Sequence, residues 1–199
     1  MNEIIYILIN ESMPGYVKIG KTNNSVKERM SQLDRTNIPL PFECYYACEV
    51  ENAHEEEKWL HSIFSDRRVR DGREFFKIDP ERVVAAIRRI QKRDVTPKDF
   101  LDVTKEEQGE LEEAKSIRAR FDFARYGIST NAMIMYVRDN SIQAKVLENN
   151  KIEIDNEITS LSASAQKLLG YKKGVAGTLY WMYEGETLDE RRRRIESGE

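Results

Sequence analysis

The chain of 199 residues predicts an α/β protein, more narrowly α+β, arranged as two domains. Three observations carry that expectation. Through residue 96, short apolar runs bounded by turn residues alternate with capped amphipathic segments. A polar, proline-bearing stretch and a spacer helix then interrupt the pattern over residues 97–120. From residue 121 to 199 short strands and tight turns take over, as a second small α+β domain would require.

Composition narrows the class. A hydrophobic content of 40% beside 34% charged residues describes a globular chain, neither disordered nor membrane-embedded. The net charge of −3 excludes a protein coated in basic charge and leaves room for local basic patches. No stretch is long and apolar enough to span a bilayer, and Glu3 stands where a signal peptide would be basic, so the expectation is a cytoplasmic protein with no membrane partner. Cys44 and Cys48, four apart in an expected strand, would hold their Cα atoms roughly 13 Å apart, too far for a disulfide. They read as packed, reduced thiols. No second pair of cysteines or clustered histidines accompanies them, which argues against structural zinc.

Taken in order, Ile4 to Ile9 and Gly15 to Thr22 are strands joined by a Met13-Pro14-Gly15 turn, displaying Tyr6, Lys18 and Lys21. Ser25 to Glu28 has the capping-box form and opens a helix buried through Val26, Met30 and Leu33. Arg29 shares that stripe and leans toward the sheet edge. Pro39 and Pro41 break the chain before Phe42 to Val50, which alternates with period two, implying a strand with one buried and one wetter face. Asn52 caps a helix with an apolar stripe of Trp59, Leu60, Ile63 and Phe64. On its other side His54, Glu57 and His61 fall at i, i+3 and i+7, a spacing unlike that of a helical zinc pair.

A basic loop with Arg67, Arg68, Arg70 and Arg73 delivers Glu74 before Phe75-Phe76-Lys77-Ile78. Asp79-Pro80-Glu81 then starts a helix buried through Val83, Val84, Ile87 and Ile90. A spacer helix is expected from about Lys105 to Arg120, with acids early and bases late. Strands follow at 132–137, 142–147 and 151–154, then a helix capped by Ser160 or Ser162 and closed by Gly170. A last strand spans 177–183, and a terminal helix begins at Thr187 and bears Arg191, Arg192, Arg193 and Arg194.

Several of these residues occur together in a known order. Tyr6, Lys18-Ile19-Gly20-Lys21-Thr22, Arg29, the run Glu57 to Phe64, and Glu74-Phe75-Phe76 resemble the phage and meiotically up-regulated gene branch of the GIY-YIG nuclease superfamily over residues 1–93. Ile4-Ile5-Tyr6 stands where the superfamily has Gly-Ile-Tyr, and Lys18-Ile19-Gly20 where it has Tyr-Ile-Gly. The resemblance implies a three-stranded antiparallel sheet flanked by helices and a metal-dependent phosphodiesterase site. In it, Glu74 would bind Mg²⁺ or Mn²⁺, Arg29 clamp the phosphate and Tyr6 pass the proton. Lys18 or Lys21 would support the phosphate or lower the Tyr6 pKa, and His61 would assist. The tail, through Ser162-Ala163-Ser164-Ala165, Leu168-Leu169-Gly170, Tyr180-Trp181 and Gly185 to Leu188, resembles the restriction enzyme and adenine methylase associated (RAMA) module. That likeness implies a DNA-facing accessory domain.

The expected function is therefore a metal-dependent endonuclease acting on DNA, with RNA as the alternative substrate, in restriction, phage defence or mobile-element biology. Arg67, Arg68, Arg70 and Arg73 would contact nucleic acid from the first domain, and Trp181, Arg191 and Arg192 from the second. A catalytically inactive nucleic-acid-binding protein on the same scaffold is the competing expectation, and a protein-interaction adaptor a third.

Overall fold

The structure, a computed structural model, describes residues 2–34, 38–98, 109, 121–171 and 175–198. The chain divides into two compact units, residues 1–115 and 116–199. Most of the spacer helix expected over 105–120 lies outside the described residues.

In the first unit the strands are β1 (Ile4–Ile9), β2 (Tyr16–Thr22), β3 (Glu43–Glu49), β4 (Phe75–Lys77) and β5 (Arg93–Asp94). They form one antiparallel sheet of order β4-β2-β1-β3-β5. The three long strands form its middle. Two short edge strands enlarge the three-stranded sheet to five, and sequence could not show them. Three residues of β4 are too few to display alternation, and both residues of β5 are exposed and charged.

The central strand β1 is apolar on both faces because both faces are covered. Helix α1 (Val26–Leu33) packs Val26 and Met30 against Ile4, Tyr6 and Leu8. Helices α2 (Ala53–Ile63) and α3 (Pro80–Ile87) lie against the sheet, over the face shared by Ile5, Ile7 and Ile19. The expectation of a wetter side on β3 is thus corrected: Tyr45, Tyr46, Ala47 and Cys48 are buried in succession. A bulge, where Ile7 pairs with Tyr46 but Leu8 with Cys44, inserts Tyr45 and resets the alternation that the sequence suggested.

Two helices also differ from their apolar patterns. In α2, Ala53 and Leu60 are buried while Trp59 and Ile63 are 38% and 43% exposed. Trp59 stands about 100° around the helix from Leu60, so both cannot face one sheet. Helix α3 ends at Ile87, and Ile90 sits in the turn beyond it, its N–H bonded to the Ile87 carbonyl. Cys44 and Cys48 are free thiols, and burial pushes the Cys48 thiol up to about 12.

The second unit is a six-stranded antiparallel sheet, β11-β10-β6-β7-β8-β9. Its strands are β6 (Met133–Tyr136), β7 (Asp139–Val146), β8 (Ile152–Ile154), β9 (Glu157–Thr159), β10 (Trp181–Tyr183) and β11 (Glu186–Thr187). Asp155 and Asn156, both at positive φ, make the two-residue β8–β9 turn, a conformation that short polar side chains tolerate best after glycine. Helix α4 (Leu161–Leu169) is capped by Ser160, whose side chain accepts from the Ala163 N–H, and ends at left-handed Gly170. Gly177, expected in a strand, lies in a 3₁₀ turn against α4: a Cβ there would fall 2.4 Å from the Leu161 carbonyl carbon. Helix α5 (Leu188–Ser197) opens with a Thr187/Glu190 capping box. No described helix is long and apolar enough to cross a membrane.

Candidate active site

The hairpin register builds the site. Tyr6 stands opposite Gly20 and Leu8 opposite Lys18, so Tyr6, Lys18 and Gly20 share the face that α1 covers. A Cβ on Gly20 would lie 2.5 Å from the Tyr6 hydroxyl oxygen and 2.7 Å from its Cζ. The phenol thus occupies the space that any larger residue at position 20 would fill.

Arg29, half-buried on α1, reaches back over this face. Its Nε donates to the Tyr6 hydroxyl at 3.3 Å and its Nη1 to Gln32 Oε1 at 3.3 Å. Glu74 arrives from the basic loop, fixed by its own backbone: its carbonyl accepts from the Ile19 N–H at 3.0 Å. Its carboxylate pairs with the Lys18 ammonium. Lys18 is 6% exposed and lies 5.5 Å from the Phe75 ring. Tyr6, Lys18, Arg29 and Glu74 therefore converge, although 68 positions of chain separate the first from the last.

Electrostatics follow from this geometry. Burial raises the Tyr6 pKa above the ordinary phenol value, against the opposing hydrogen bond and charge of Arg29, so the phenol is neutral at pH 7. Neither lysine lowers it, contrary to the expectation for Lys18 or Lys21. For Glu74, burial alone would raise the pKa. The hydrogen bond and charge of Lys18, with His61 and Arg29 behind it, outweigh burial and hold the carboxyl below its usual range. Glu74 is ionised at neutral pH.

Lys21 and His61 belong to the opposite face. Pleating turns Lys21 away from Tyr6 and toward α2, where its ammonium donates to Glu57 Oε2 at 2.7 Å and to His54 Nδ1 at 3.0 Å. The Ile19 carbonyl can only accept, so His61 Nε2 carries the proton in their 3.0 Å contact. His61 also packs on Phe76, ring centroids 5.1 Å apart.

In the basic loop Arg67, Arg70 and Arg73 are exposed. Arg67 pairs with Asp66 at 3.0 Å. Arg68 donates its Nε to the Arg73 carbonyl at 2.6 Å and lies 5.7 Å from the Phe76 ring.

The residues expected to contact DNA in the second unit are spent on the fold. Trp181 has no exposed surface; its Nε1 donates to Ser164 Oγ at 3.1 Å and its ring meets Tyr136 edge-on, so no base can stack on it. Arg191 bridges Glu184 and Glu186 and donates to the Tyr126 carbonyl. Arg192, 8% exposed, lies over Phe121 and Tyr126. Arg193 and Arg194 pair with Asp189 and Glu186. A run of four arginines reads as free charge until the acids at 184, 186 and 189 are seen to fold onto it.

Sequence reasoning passed over Gly20 as the partner of Tyr6, Gln32 as the second anchor of Arg29, and Glu57 as the anchor of Lys21. The first was legible only as a shared face: counting outward from the Met13-Pro14-Gly15 turn places residue 22 opposite residue 6 with residue 20 on the same face, whereas the observed register, centred on Met13, sets Gly20 itself against Tyr6. The other two depend on side-chain reach, which no pattern encodes. Among the described residues no three His, Cys, Asp or Glu side chains gather into a cage. Glu74 is a single ionised, half-exposed carboxylate, and once its pair with Lys18 opens it would suit Mg²⁺ or Mn²⁺, which take one or two protein carboxylates and complete their shell with water and substrate phosphate.

Residues 3–91 match the family model of the T5orf172 domain. No curated protein matches the chain.

Proposed function

We propose that the protein is a divalent-metal-dependent endonuclease that hydrolyses DNA phosphodiester bonds from its first unit. The observation that carries this reading is the convergence of two cations, an ionised carboxylate and a buried phenol on one sheet face. The T5orf172 match adds support, since this domain is found in phage-associated nucleases.

Each residue then has a task. Glu74 would hold Mg²⁺ or Mn²⁺, which would supply Lewis-acid chemistry toward phosphate and water. Arg29 grips two phosphate oxygens with its planar fork, and Lys18, released from Glu74, adds a point charge where negative charge develops. Tyr6 is 1% exposed and lies behind Arg29. It orients the guanidinium, its neutral hydroxyl accepting from the Arg29 Nε. The second unit acts as a RAMA-like accessory module that holds or selects DNA through surfaces other than its arginine helix, in a restriction or phage-defence setting.

The test is incubation of supercoiled plasmid with the full chain and Mg²⁺ or Mn²⁺, with and without chelator. Nicking that chelator and Glu74→Gln both abolish is expected. Parental cutting by Glu74→Gln would remove Glu74 as the metal ligand. A second reading, a non-catalytic nucleic-acid binder, draws on the Lys18–Glu74 pair, since the ammonium already neutralises the carboxylate. Binding without nicking in either metal would select it.

A further inference from the structure

A groove runs along α2 and onto the 3₁₀ turn Ser65–Arg67 that follows it. It is lined by His54, Lys58, His61, Ser62, Ser65 and Arg68, with Glu57 in its wall. Glu57 brings no free negative charge, because Lys21 holds its carboxylate. Apart from the two histidines, whose Nδ1 (His54) and Nε2 (His61) are already bonded, the rest of the lining offers donors. The Lys58 ammonium, the Ser62 and Ser65 hydroxyls and the terminal nitrogens of Arg68 bond to no side chain or carbonyl among the described residues, whereas Arg68 itself is held by its Nε and by Phe76. A guanidinium fixed at one nitrogen and open at two others is ordered in advance for an anion.

The groove also has a direction. His61, in its lining, bonds the Ile19 carbonyl, and the Ile19 N–H bonds the Glu74 carbonyl, so the groove adjoins the strand segment that fixes Glu74. Lys58 stands on α2 and Arg68 just past the 3₁₀ turn that follows it, and one strand of duplex DNA carries a phosphate about every 3.4 Å of axis. Lys58 and Arg68 therefore stand at separate points of the groove, one on α2 and one beyond its end.

We infer that this groove is a backbone subsite, holding phosphates of the DNA strand that flank the one presented to Arg29 and Glu74. The inference rests on the nuclease reading for its position and not for its chemistry. Phosphate recognition here requires neither the metal nor cleavage.

The experiment measures binding of the full chain to a labelled DNA duplex in chelator, from about 50 to about 200 mM salt. Parent, Lys58→Ala, Lys58→Ala/Arg68→Ala and Arg89→Ala are compared. Arg89 is exposed beyond α3 and controls for lost charge. The double variant should bind about tenfold more weakly at the upper salt, with a log–log salt slope shallower by about 1.8, and Lys58→Ala by about half that slope. Lys58 is exposed, so the single variant guards against a folding defect from Arg68. Parental slopes in both variants, an equal loss in Arg89→Ala, or a parent without affinity for the duplex would overturn the inference. Groove-dependent binding without plasmid cleavage would sink the nuclease reading and leave the groove standing. Cleavage with unchanged slopes would do the reverse.

Discussion

Arg29 uses different atoms for different partners, and this makes its chemistry hard to replace. Its Nε donates to Tyr6 and its Nη1 to Gln32, so the guanidinium plane is set by two anchors at once. A lysine has a single terminal nitrogen and keeps only the charge. Arg29→Lys should therefore lose cleavage almost as fully as Arg29→Ala, each by about 100-fold or more in single-turnover rate. Melting temperatures should move little, because the residue is half-exposed; a near-parental rate for the lysine variant would show that charge alone suffices. Glu74 makes a prediction in pH. Its folded pKa lies below the ordinary value, so the stability from its pair with Lys18 is present above the usual carboxylate range and is lost as pH falls through the lowered pKa. Melting curves of parent and Glu74→Gln should converge on acidification. A gap that widened toward low pH would mean that the carboxylate is not held ionised by its neighbours.

At the scale of elements, α5 shows how a charge run misleads. Its arginines sit over aromatic rings and between Glu184, Glu186 and Asp189. Arg191→Ala removes two ion pairs and the bond to the Tyr126 carbonyl from a side chain only 11% exposed. Its expected cost is about 1–3 kcal/mol of stability with unchanged DNA affinity. Weaker binding without a lower melting point would reverse that assignment. Legibility followed the same logic elsewhere. Capped helices announced themselves through Ser25, Asn52, Asp79 and Thr187, because a cap is a local bond between near neighbours. The long strands did so through apolar runs. The edge strands β4, β5, β9 and β11 did not, since two or three residues show no period and their pairing is decided by the neighbouring strand. The convergence of Tyr6, Lys18, Arg29 and Glu74 came through resemblance and hairpin register. The turning of Lys21 to the other face was implicit in the same alternation that put Lys18 beside Tyr6. The bulge at Tyr45 was not legible, because nothing in a run of half-apolar residues marks which one is extra.

For the whole molecule, the division into two units separates two uses of charge. In the first, Arg70 and Arg73 stand exposed in the loop that carries Glu74; in the second, the arginine helix is neutralised from within. Added salt should thus loosen nucleic acid from the first unit while acting on the second chiefly through the anchoring of α5. The chain carries its own means of watching this. Of its two tryptophans, Trp59 lies 38% exposed in the first unit and Trp181 lies wholly buried in the second. Intrinsic fluorescence should therefore be a composite of a red-shifted, easily quenched emitter and a blue-shifted, protected one. Unfolding of the second unit should move the emission maximum strongly to the red, and unfolding of the first only slightly. With Trp59→Phe the remaining emission should resist acrylamide until the second unit melts; early quenching in that variant would show that Trp181 is not sealed in its core. Two transitions, if the units melt independently, could then be told apart by colour without any label.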